Sequence, residues 1–271
     1  MRVFIISDME GVAGITKWDQ VSGGKSLYEE GRPLYTEEIN AAVRGARAAG
    51  ATEIVVMDCH GAGGDWSFNS LLPERLDPGC EFVVQREWTE YTDFLEQGCD
   101  AALFIGMHAK AGTPDGLLSH TVSSSHWTNL SFNGVSVGES AINAALCGHW
   151  SCPVLLVTGD DAVCREARAL LGDGLTTVAV KTALGRYSAR HFPPVRARQM
   201  IEEGAAAALA DLKAVAPYVL SSPVEITVEF TTPDHVEKYR FVSGIEIVDG
   251  RTIVSRATDW WTAWRQFYFI G

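Results

Sequence analysis

The chain has 271 residues, 46% of them hydrophobic and 21% charged, which excludes disorder and supplies enough chain for one large core or two domains. A formal net charge of -12 argues against nucleic acid or an anionic membrane as a partner, because counterion release needs clustered Lys and Arg. Cationic metals and small zwitterions would not be repelled.

Apolar runs such as AALFIGM at 101–107 fall far short of the roughly 18 residues a membrane helix needs. Met1 leads through one Arg into a short strand, with neither the apolar core nor the cleavage site of a signal peptide, so a cytoplasmic location is expected. Cys59, Cys80, Cys99, Cys147, Cys152 and Cys164 form no CxxC pair. That spacing suits reduced, mostly buried thiols better than a disulfide framework or a zinc knuckle.

In chain order, the runs VFII (3–6), IVVM (54–57), ALFIGM (102–107), VLLV (154–157) and TVAV (177–180) read as buried parallel strands. Helical patterns lie between them. TEEINAAVRGARAAG has Thr36 as candidate N-cap and Gly50 as its stop; GESAINAALCGHW follows, and DAVCREARALLG has Asp161 as its expected cap and Gly172 as its end. The alternation predicts an α/β fold with a doubly wound, mostly parallel sheet over residues 1–192. From 193 an Ala-rich helix leads into VEITVEFTT, which predicts a smaller α+β unit over 193–271. Trp260, Trp264, Phe267 and Tyr268 share a helical face in the tail, either a packed core face or a subunit contact.

Three predicted strands end in potential metal ligands: SDME gives Asp8 and Glu10, MDCH gives Asp58 and His60, and GMH gives His108. Asp8 and Glu10 alone would also fit a strand running into a solvated turn. In a parallel sheet, however, all three ends lie along the edge where open α/β folds bind ligands. Mixed imidazole and carboxylate ligation suits zinc and its first-row neighbours. Glu139, opening a helix behind Gly138, offers a fifth ligand. Two tetrahedral ions need roughly eight donor positions. Five side chains with one bridging carboxylate supply six, and a shared water or hydroxide supplies the rest, which favours a two-metal hydrolase with that hydroxide as nucleophile. His120, beyond the GTPDG loop, is the candidate catalytic acid or base.

The motifs SDMEG, TEEIN, DCHG, GMHA, SHT (119–121) and VGESAINA (137–144) resemble those of the zinc-dependent D-aminopeptidases of the DppA type, peptidase family M55. The likeness extends to about residue 190. It implies that Asp8 (bridging), Glu10, His60, His108 and Glu139 hold two zinc ions per subunit, with His120 catalytic. It also implies hydrolysis of short peptides carrying an N-terminal D-residue, such as D-Ala-D-Ala, and a homo-oligomer, by analogy a decamer. Cys59 stands where the family is expected to have Ser, and the 123–134 segment departs from the pattern.

Asn143, one turn beyond Glu139, is a candidate for orienting that ligand or binding substrate, and Lys181 and Arg186 are candidates for receiving a peptide carboxylate. The competing readings are a zinc amidase or L-specific aminopeptidase on the same site, or a non-catalytic metal- or solute-binding protein. A nucleotide-binding role is disfavoured, because GVAG and GAGG lack the third glycine or the Lys-Ser/Thr pair of phosphate loops.

Overall fold

The computed structural model describes residues 1–269. The elements are β1 (Arg2–Ser7), α1 (Tyr28–Ala48), β2 (Glu53–Asp58), β3 (Glu81–Val83), α2 (Asp93–Glu96), β4 (Ala101–Met107), β5 (Trp127–Phe132), β6 (Val135–Ser136) and α3 (Glu139–His149). They continue with β7 (Val154–Asp160), α4 (Asp161–Leu171), β8 (Thr176–Gly185), β9 (Ser188–His191), α5 (Pro194–Ala208), β10 (Val224–Phe230), α6 (Asp234–Glu237), β11 (Ile245–Asp249), β12 (Thr252–Ala257) and α7 (Trp260–Tyr268).

All five apolar runs are strands of one seven-stranded sheet, ordered β3-β2-β1-β4-β7-β8-β9, parallel except for the β8–β9 hairpin. Strands β1, β4 and β7 bury nearly every residue, as expected of strands covered on both faces. Helices α1 and α5 pack together on this sheet, and α3 and α4 form the other helical pair. From β1 the chain winds outward to β3 and then returns to place β4 on the opposite flank of β1. The carboxyl ends of β1 and β4 therefore border the crevice at which the winding direction reverses.

A second, antiparallel sheet is ordered β11-β12-β10-β5-β6. Its division from the first sheet does not coincide with residue 193: β5 and β6 come from before it, and α5, which follows it, packs along α1. The cause is the pairing of β5 with β10 across almost a hundred residues of chain, a contact that no local pattern announces. Helix α7 covers β10 and β12 and also reaches α3. Its Trp260, Trp264 and Phe267 are buried, so this face of the tail is core packing.

Two helix starts differ from expectation. Helix α1 begins at Tyr28 rather than after Thr36, carries Pro33 inside it at the loss of one backbone rung, and buries Tyr28 and Tyr35 as compensation. Helix α4 is capped by Asp160, whose carboxylate accepts from Val163 N–H at 2.8 Å, while Asp161 accepts from Ala183 N–H. No helix among the described residues is long and apolar enough to cross a membrane.

At the end of β9, His191 Nδ1 accepts from Gly14 N–H at 3.0 Å and Nε2 bonds the Thr16 hydroxyl at 3.0 Å. Burial, reinforced by the charge of Lys181, pushes its pKa down to about 4. The unfolded chain takes up this proton near pH 6.5 and the folded chain only near pH 4, so this contribution to stability is complete above about 6.5 and lost as pH falls towards 4. The expected outcome for His191→Gln is a smaller drop in denaturant midpoint between pH 7.5 and pH 5 than in wild type.

Candidate metal centre

The turn after β1 is pressed onto the end of β4. Asp8 N–H donates to Ile105 O at 2.9 Å and Gly11 N–H to Gly106 O at 2.7 Å. Gly106 has φ +76°, and a Cβ there would stand 2.1 Å from Asp8 O; one on Gly11 would stand 2.0 Å from Met107 O. These two glycines allow the backbone approach that sets Asp8 beside His108, the residue directly after β4. From beneath, Lys181 Nζ donates to the carbonyls of Glu10 (2.6 Å), Val12 (2.9 Å) and Ile15 (2.9 Å). Glu38 on α1 accepts from Ala13 N–H at 2.9 Å.

Three imidazoles face the carboxylates from this rim, and each is fixed by a backbone carbonyl on its far side. His60 Nε2 bonds Val21 O at 2.6 Å, His108 Nδ1 bonds Ala109 O at 2.9 Å, and His120 Nδ1 bonds Leu118 O at 2.9 Å. A carbonyl can only accept, so each of those nitrogens carries its hydrogen, and each ring, when neutral, turns a lone pair inward. His60 Nδ1 stands 3.1 Å from both Asp8 Oδ1 and Glu10 Oε2. His108 Nε2 is 3.3 Å from Asp8 Oδ2 and 3.4 Å from Glu139 Oε1, and His120 Nε2 is 3.5 Å from the same Glu139 oxygen. Rings 108 and 120 stack at 4.1 Å.

With the rings neutral, the form that binds a metal, acceptors face acceptors. Asp8 Oδ2, Glu10 Oε2 and His108 Nε2 are buried without any hydrogen-bond partner. Asp8, Glu10 and His108 form one group of ligand atoms within 4.8 Å of one another, and His108, His120 and Glu139 form a second. Such a donor set fits divalent cations of the zinc type, since a cation is what converging lone pairs lack. With protons alone the rim is strongly perturbed. Burial and the neighbouring Glu10 charge push Asp8 up to about 7. Burial by itself would lower His60 and His108, but the adjacent carboxylates hold both well above the usual histidine range. His120 goes the other way, lowered by burial and by His108.

The structure thus gathers Asp8, Glu10, His60, His108, His120 and Glu139 at one rim. Asp58 does not join them: its carboxylate accepts from Tyr35 Oη, His60 N–H and Ser70 N–H and so orders the loop bearing His60. Asn143 is buried and accepts from Trp88 Nε1 at 3.1 Å, which sets an indole in the cavity wall. For Lys181 the expected substrate contact gives way to another role, because all three ammonium hydrogens are taken by the loop carbonyls. Arg186 lies near His120 along an adjoining space of about 400 Å³, its guanidinium 5.7 Å from the Trp18 ring centroid.

The cavity at the rim measures about 50 Å³, with Phe68, Trp88, Val122 and Tyr268 as its apolar wall. Val122 and Tyr268 also border a larger space of about 550 Å³ towards Lys238. These wall residues escaped the sequence reading. Trp88 lies in an irregular stretch without periodicity, and Tyr268 looked like one more core aromatic.

Sheet and rim together define a metal-centre protein on a doubly wound scaffold. More narrowly, the chain belongs to the D-aminopeptidase family, peptidase M55, which matches residues 1–269. It is 32% identical over 255 residues to a D-aminopeptidase of Bacillus subtilis (strain 168), covering 94% of this chain and 90% of that one. Its fold matches the solved structure of the Zn-dependent D-aminopeptidase DppA from Bacillus subtilis, described as a self-compartmentalizing protease. The TM-score is 0.91 at 30% identity, covering 100% of this chain and 96% of the other.

Gly106→Ala tests the packing beneath the rim. Strain at the positive φ costs about 1–3 kcal/mol, and the clash with Asp8 O must displace the turn. The expected outcome is a lower melting temperature together with a bound-zinc content below that of wild type, measured on the same preparation.

Proposed function

We propose that this chain releases N-terminal D-amino acids from short peptides at two zinc ions held by Asp8, Glu10, His60, His108 and Glu139. The carrying observation is the inward convergence of imidazole and carboxylate lone pairs, three of them on buried atoms without partners. The family and the Zn-dependent Bacillus relative support the metal and the reaction class. Asp8, with one oxygen towards His60 and the other towards His108, would be shared between the ions. Glu10 and His60 would hold one ion, and His108 and Glu139 the other.

When bound, zinc would supply Lewis acidity to the scissile carbonyl and would acidify the attacking water. His120 supplies the proton transfers. Its lowered pKa keeps the ring neutral at working pH, with Nδ1–H committed to Leu118 O and the Nε2 lone pair free to take a proton and return it to the leaving amine. Trp88, held by Asn143, closes the cavity against bulk water. Arg186, beside His120, receives the carboxylate of a short substrate. The name of the Bacillus protease supports a homo-oligomer, which we take to be a decamer, and six unpaired cysteines suit a reducing cytoplasm.

Purified protein should contain two zinc ions per chain and release D-Ala from D-Ala-D-Ala, with the activity lost to a chelator and regained with zinc. Metal-replete protein inert towards D- and L-dipeptides and simple amides would overturn the reading. Because His120 Nε2 also lies within ligand reach of Glu139, zinc content separates its two possible roles. His120→Ala is expected to lower kcat by about 10²- to 10⁴-fold while leaving bound zinc unchanged.

A further inference from the structure

Lys181 is the largest charged side chain buried among the described residues, 1% exposed, and its ammonium is committed to backbone carbonyls. Its three bonds end on the carbonyls of Glu10, Val12 and Ile15, while Glu38 on the facing helix holds Ala13 N–H between them. Together a strand and a helix grip one short loop at four backbone atoms. That loop carries Glu10. None of these bonds reaches α3 or the 109–122 segment, where Glu139 and His120 are fixed separately: Val122 N–H donates to Glu139 Oε1 at 2.7 Å.

We infer that Lys181 and Glu38 are positioning residues that set the metal affinity of one half of the centre, the half containing Glu10 and His60. The half formed by His108 and Glu139 is independent of them. The ammonium acts by fixing the carbonyls of Glu10, Val12 and Ile15, and with them the course of the loop from which the Glu10 side chain leaves. The inference rests on the two-ion reading above and deepens it, since it divides the centre into one clamped and one unclamped site.

The test is a zinc titration of metal-free protein against a chromophoric chelator, alongside circular dichroism and thermal unfolding of the same metal-free samples. Wild type should bind two ions. Lys181→Met should keep one ion at wild-type affinity and bind the other at least tenfold more weakly, a curve that overlays Glu10→Gln and differs from Glu139→Gln. Glu38→Ala should behave in the same way, and Glu38→Gln, whose amide oxygen still accepts from Ala13 N–H, should retain both ions. If Lys181→Met fails to fold, the Glu38 pair decides. Two tightly held ions in both clamp variants, or equal weakening of both, overturns the inference alone. A single ion in wild type overturns the two-ion reading and this inference with it.

Discussion

Like charges at the end of a sheet must be neutralised, and this constraint organises the molecule. Asp8, Glu10 and Glu139 stand almost wholly buried around imidazoles whose outer nitrogens are already bound to carbonyls. Two such carboxylates about 4 Å apart repel by roughly 4 kcal/mol at an effective dielectric of 20, a penalty comparable with much of a domain's net stability. Protons relieve it partially: burial and the neighbouring Glu10 charge together push Asp8 up to about 7. Divalent cations would relieve it more completely, held by these carboxylates and by the inward lone pairs of His60 and His108.

The remainder of the fold can be understood as what brings these groups together. Parallel strands β1, β2 and β4 deliver their carboxyl ends to one edge because the chain reverses its winding between β1 and β4. Two glycines let the turn after β1 rest directly on β4. Asp58, which could have been another acid at the rim, is drawn below it by Tyr35 and three backbone amides, and this in turn orients His60. The rim is rigid because its supports are main-chain atoms and buried side chains rather than exposed ion pairs.

Much of this was legible in the sequence for a definite reason. Parallel strands buried on both faces appear as unbroken apolar runs, so all five were visible, and the residue types at their ends reported the chemistry of the edge. What stayed hidden depends on contacts between distant segments. Lys181 follows an apolar run, where a lysine at the sheet edge reads as a receiver of a substrate carboxylate, and only the three-dimensional course of residues 10–15 shows where its hydrogens go. The start of α1 was obscured by Pro33, whose local preference is overridden by the burial of Tyr28. Trp88 and Tyr268 meet at the cavity from opposite parts of the chain with ring centroids 6.2 Å apart.

The route of the chain between the two sheets bears on how the protein comes into being. His120 and Glu139 flank β5 and β6, and β5 pairs with β10, which begins only at Val224. A nascent polypeptide emerging from the ribosome therefore carries every residue of the rim before the strand that anchors the stretch between His120 and Glu139.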